Sequence, residues 1–244
     1  MKDIVSKLTF GFLMAQFVPG AIVVYSISFA YVTFTGSVPQ AISVAASQAL
    51  DVWMSPLRQV FIFVALATGA GMAIHGLHWA VLGFLESHYA EDTENEGRRL
   101  KPVAETFWHD KMLILQILLG PIKIVLEVLA LLFLGRNIRQ IAIEENVWEI
   151  DKSKMEAFQF LEEFYLHFAQ FYAHTSYALV GLFLSVTVST LLSPGLAFGA
   201  GCVVALTAIW VVSGFFFIIS RIQLASLFKA ERAMCRASER ASDE

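Results

Sequence analysis

Charge is what this chain of 244 residues has least of. Asp, Glu, Lys and Arg make up 16% of it, against about 25% in soluble domains. Three long stretches carry none of the four: between Lys7 and Asp51, between Arg58 and Glu86, and between Glu163 and Arg221. Such a chain is neither a disordered tail nor an ordinary soluble domain. Cysteine is scarce too; of the two, Cys202 lies in an apolar run and Cys235 in the charged tail, so no disulfide framework is expected. The signatures HExxH, G-x-S-x-G, the phosphate-binding Gly-Lys-Ser/Thr loop and the dinucleotide fingerprint are all missing. His109-Asp110 near Glu105 matches no motif. The reading is therefore no enzyme, no cofactor, no metal and no direct binding of nucleic acid.

Apolar residues, at 57%, are what fills the chain. Crossing the hydrocarbon layer takes roughly 20 of them in a helix, and four segments meet that length: about Leu8–Thr35, Val60–Leu85, Phe164–Leu192 and Leu196–Ser220. The first is longer than the apolar part of a cleavable signal and three spans follow it, so it is expected to stay as a structural helix. A fifth segment, Met112–Gly135, is long enough but contains Lys123, Glu127 and the pair Gly120-Pro121. The fold class expected is an all-α integral membrane protein with four transmembrane helices. The fifth segment is read as a re-entrant or interfacial helical hairpin hinged at Gly120-Pro121, or as a helix buried against the bundle.

Basic residues decide between four crossings and five. Lys and Arg accumulate on the cytoplasmic side, and they cluster at the amino end, in 86–111, in 136–163 and after Arg221. All four clusters share one side only if 112–135 does not fully cross. Both termini are then cytoplasmic, and the compact outer loops fit a bacterial inner membrane. The chain divides into a first helix pair (1–85), a cytoplasmic region with the hairpin 112–135 (86–163), a second pair (164–220) and a C-terminal amphipathic tail (221–244). From Asp151 or Ser153 onward, Phe158, Leu161, Phe164, Tyr165 and Phe168 recur at helical spacing, which predicts one long helix running from the cytoplasm into the third span.

Ionisable groups inside apolar segments mark the candidate site, since such groups are usually paired, shielded or functional. Lys123 and Glu127 stand one helical turn apart, and the order Lys before Glu is the weaker one for a helical pair, which points to further partners. His75 and His78 share a face of the second span, and His167 and His174 a face of the third. Imidazoles so placed could relay a proton or bind a metal, although no acidic or thiol ligand joins either pair. Lys123, Glu127, His75, His78 and His174 are thus the polar or gating candidates. Gly69, Gly76, Gly195 and Gly199 follow the small-xxx-small pattern of helix packing, and Pro19, Gly120 and Pro121 are candidate hinges. In the tail, Arg232, Arg236 and Arg240 repeat at four-residue spacing, a surface for anionic lipid or a partner.

Two functions fit these features. The first is an oligomeric sensor, anchor or accessory subunit that couples the bilayer to a cytoplasmic protein, because the soluble mass lies inside and the outer loops are short. The alternative is an oligomeric ion channel or pore with a polar path near Lys123 and Glu127. Membrane lipids and further copies of the chain are the expected partners in both.

Overall fold

The structure, a computed structural model, describes residues 13–35, 55–90, 113–134, 152–192 and 200–242. A π-helical turn, Leu13–Phe17, leads into α1 (Val18–Thr35); then come α2 (Ser55–Ala90), α3 (Leu113–Leu134), α4 (Lys152–Leu192) and α5 (Ala200–Ser242). No strand occurs among the described residues. Four segments are long and apolar enough to cross a membrane: Arg58–Leu85, Leu113–Leu134, Leu166–Leu192 and Ala200–Leu227. The first helix is the shorter apolar one over Ala15–Tyr31. This is a multi-span helical membrane fold.

Pairs of contacts fix the helix directions. Gln16 meets Gly71 while Gly20 meets Ala67, so α1 and α2 run antiparallel. Tyr172, Ser176 and Phe183 meet Phe216, Ser213 and Trp210, so α4 and α5 do too. α3 runs parallel to α5, Leu118 facing Trp210 and Glu127 facing Arg221. It is also parallel to α2, because Ile74 shares one core cluster with Ile124 and Phe84 another with Leu131. Hence α2, α3 and α5 finish at the same end of the bundle, where α4 begins. α4 packs against every other helix and forms the centre.

The segment 113–134 is one continuous helix. The hairpin hinged at Gly120-Pro121 is thereby corrected, and the alternative weighed beside it, a helix against the bundle, is the arrangement seen. Proline within a helix removes the bond to the carbonyl four residues back, and in a membrane that carbonyl must find another donor or a close neighbour. Here α5 covers the exposed turn. Trp210 Nε1–H donates to the Leu118 carbonyl at 3.0 Å, and Gly214 rides so close over the Ile117 carbonyl that any side chain there would collide with it. Gly120 faces the same glycine. Gly120 and Pro121 are buried packing residues.

Pro19 is handled the same way. The π-turn just before it loosens the ladder, and the carbonyl four residues back, Ala15 O, accepts a hydrogen bond from His174 Nδ1. The next carbonyl, Gln16 O, lies against Gly71. Pro19 is buried just past the point where the π-turn passes into α1 without a break.

Gly69 and Gly76 are corrected as packing residues within the chain: both are exposed, with nothing near the place a side chain would take. The contacts are made by Gly20, Gly71, Gly120 and Gly214 instead. Gly195 and Gly199 lie outside the described residues, as do the links 36–54, 91–112 and 135–151. The long helix expected to enter the third span is present as α4, unbroken from Lys152 to Leu192. α5 likewise continues without a break into the tail, carrying the positions of Arg232, Arg236 and Arg240.

Candidate functional site

Two polar clusters lie inside the bundle. The first joins α3 to α5. Arg221 Nη2 donates to Glu127 Oε2 at 2.8 Å, with the two side chains 4% and 6% exposed. Lys123 Nζ stands 3.9 Å from the other carboxylate oxygen, its side chain 30% exposed. The Arg221 guanidinium also sits 5.0 Å over the Phe217 ring, a cation–π contact that recovers part of the desolvation. One buried cation, Arg221, and one half-buried cation, Lys123, thus share one carboxylate. Removing charges from water costs several kcal/mol per ion even after relaxation, an order-of-magnitude figure, and this pair is held where the outer face of α3 is wholly apolar, from Ile114 through Leu118, Ile122 and Leu126 to Phe133.

The second cluster joins α1, α2 and α4. The His174 ring packs edge-on against His75 at 5.2 Å and His78 at 5.3 Å. His174 and His78 are buried, at 0% and 3% exposure. A carbonyl has no proton to give, so the contact with Ala15 O requires the hydrogen on His174 Nδ1 and leaves Nε2 of the neutral ring as a lone pair. That Nε2 is buried with no hydrogen-bond partner among the described residues, and the same holds for Nδ1 of His75 and of His78.

Tyr177, one turn along α4 from His174, connects the clusters. Its ring lies 5.8 Å from His78, its hydroxyl is buried, and it shares a core cluster with Ile124 of α3 and with Phe217 of α5, the ring under the Arg221 guanidinium. A chain of polar groups therefore runs through the core: Lys123, Glu127, Arg221, Tyr177, then the three imidazoles. Nearer the start of α5, Ser176 and Ser213 each donate to the other's carbonyl, at 2.7 and 3.0 Å, and fasten α4 to α5 beside the site.

Lys123, Glu127, His75, His78 and His174 are thus brought into one seam. His167 is not part of the imidazole cluster. Arg221 and Tyr177 are the members that sequence reasoning missed. Arg221 had counted only as the first basic residue of the tail, and the signal that could have found it was the unfavourable Lys-before-Glu order, which asked for a further charge. No three His, Cys, Asp or Glu side chains among the described residues are gathered as metal ligands. The Glu127–Arg221 pair faces inward, between α3 and α5. No family model, curated protein or solved structure matches this chain.

Proposed function

We propose that this chain is a membrane protein that passes an ion through a polar seam inside its helix bundle, the path running by Lys123, Glu127 and Arg221. The observation that carries the reading is the Glu127–Arg221 pair, ionisable and buried between two apolar spans. Ionisable groups at that depth mark ion pathways, relays or counter-ions far more often than they serve packing alone. The unpartnered hydroxyl and imidazole atoms on α2 and α4 extend the polar groups beyond the pair and favour a path over an isolated buried bridge. The ends of α2, α3 and α5 and the start of α4 share one face, and the basic residues of 136–163 and those from Arg221 onward adjoin it; this supports a cytoplasmic placement of that face and a bacterial inner membrane.

The test is ion flux into liposomes holding the purified full chain under an imposed membrane potential. Glu127→Gln combined with Arg221→Gln keeps the pair neutral and hydrogen-bonded, and should abolish flux. Thr207→Val, on the lipid-facing side of α5, should leave it intact. Absence of flux of any ion from the wild-type chain would sink the reading.

One observation favours the sensor or anchor reading as a second function of the same molecule. α4 begins 14 residues before its apolar span and α5 continues 15 residues past its own, both at the same end of the bundle. Paired helical extensions of that kind suit a docking site for a cytoplasmic protein or another copy. Crosslinking from cysteines placed at 156 and 236 would test it, with recovery of the uncrosslinked monomer alone counting against it.

A further inference from the structure

We infer that the ion carried is the proton, and that His75, His78 and His174 form its station inside the bundle. The inference rests on the ion-path reading above and names the ion. An alkali cation needs a cage of oxygen ligands. In this seam Glu127 Oε2 is bonded to Arg221 and Oε1 has Lys123 at 3.9 Å, the Tyr177 hydroxyl supplies a single further oxygen, and the unpartnered atoms gathered in one place are imidazole nitrogens, which take up protons readily.

The geometry of His174 suits a proton carrier. Its Nδ1–H is held by the Ala15 carbonyl, which Pro19 frees from the helix ladder. That hydrogen bond fixes the ring and leaves its Nε2 bare and buried, with the His75 and His78 ring centroids 5.2 and 5.3 Å from its own. A proton arriving at Nε2 makes an imidazolium whose Nδ1–H stays on Ala15 O. Transfer of the Nε2 proton to the unpartnered Nδ1 of His75 or His78 restores the neutral ring and makes the acceptor the imidazolium. No other bond is made or broken and no oxidant is needed. Every element packed on the cluster contributes a named group: His75 and His78 from α2, His174 and Tyr177 from α4, Arg221 from α5, Glu127 from α3 behind Tyr177, and the Ala15 carbonyl from the turn before α1. Three adjacent buried nitrogens without partners are a poor choice for packing, since each forgoes its hydrogen bonds.

The experiment uses the full chain in liposomes loaded with a pH-sensitive dye, with a valinomycin-set potassium potential as the driving force. Wild type should acidify the lumen when the potential is negative inside. His174→Gln and His78→Gln should each slow acidification by roughly tenfold or more. Gln at 174 can still donate to Ala15 O, so unchanged helicity and melting in that variant separate proton carriage from structural support. Acidification that persists in both Gln variants overturns the inference. So does passage of potassium or chloride without protons, which leaves the ion path standing, and so does one zinc bound per chain with no proton flux. Silence toward every ion removes the path and the inference together.

Discussion

Two prolines lie inside apolar helices of this protein, and the bundle treats them alike in geometry but not in chemistry. Before each, one carbonyl receives a side-chain N–H from a neighbouring helix and an adjacent one is covered by a glycine, although the carbonyl four residues back takes the side-chain donor at Pro19 (Ala15 O) and the glycine at Pro121 (Ile117 O). At Pro121 the donor is the indole of Trp210, which has no proton to exchange near neutral pH. At Pro19 the donor is the imidazole of His174, whose second nitrogen is free to take one up. Backbone satisfaction in a membrane is a common requirement, and the choice of donor decides whether the joint is inert or able to carry a charge. Trp210 and Gly214 make the α3–α5 joint a clamp at Pro121, with the Glu127–Arg221 pair at its charged end; on the reading proposed above, the junction of α1, α2 and α4 is the side able to take up a proton.

Breaking the clamp at its charged end should give the largest effect. Arg221→Leu strands the Glu127 carboxylate in the core, with a cost of about 3–5 kcal/mol. Adding Glu127→Leu should return most of that stability, because a well-packed apolar pair of this kind is close to neutral. Thermal or denaturant unfolding of the single and double variants in detergent micelles checks it. Equal loss in both would mean that Arg221 acts through something other than the carboxylate.

Next in size are the glycines that cover the freed carbonyls. Gly214→Ala puts a methyl into the Ile117 carbonyl, forcing α3 and α5 apart at a cost of about 1–3 kcal/mol or more. Gly69→Ala enters open space and should change stability by less than about 0.5 kcal/mol. The sequence could not rank these two. Small residues four apart recur along apolar helices whether or not a neighbour lies over them; the pattern marks Gly69 and Gly76 and passes over Gly214, which has Trp210 and Ile218 four residues away. The better signal was proline: Gly20 and Gly120 adjoin Pro19 and Pro121, the places where a neighbouring backbone has to come close.

The spans themselves were legible because hydrocarbon imposes length and composition on every crossing helix. The importance of Lys123 and Glu127 was legible for the same reason, as charges are conspicuous in an apolar run. Their partner was not, since Arg221 is 94 residues from Glu127 and helix pairing has no local signature. The histidines show the same limit. Spacing grouped His174 with His167 on one helix face, whereas packing across helices grouped it with His75 and His78.

His174 itself separates the two joints further. His174→Phe removes the donor to Ala15 O and leaves that carbonyl unpaired, costing about 1–3 kcal/mol, whereas His174→Gln keeps a donor and should recover most of it. At the other joint, Trp210→Phe loses a comparable bond to Leu118 O. The difference lies in the flux: Trp210→Phe should lower melting without slowing proton entry, and His174→Gln should do the reverse. Unfolding curves and dye-loaded liposomes prepared from the same three variants supply both readings.

The smallest effect belongs to the serine pair between α4 and α5, which lies beside both joints and in neither. Ser176 and Ser213 are fully buried, and each donates to the other's carbonyl. Hydrogen bonds between membrane helices average about 0.6 kcal/mol by double-mutant cycles, because the separated helices also find partners within their own backbones. Ser176→Ala and Ser213→Ala should therefore cost about that much each. The double variant should cost less than their sum, since the Oγ atoms, 3.2 Å apart, interact directly. Strict additivity in the unfolding free energies would show that the two hydroxyls act independently, and that α4 and α5 are held at this level by close packing alone.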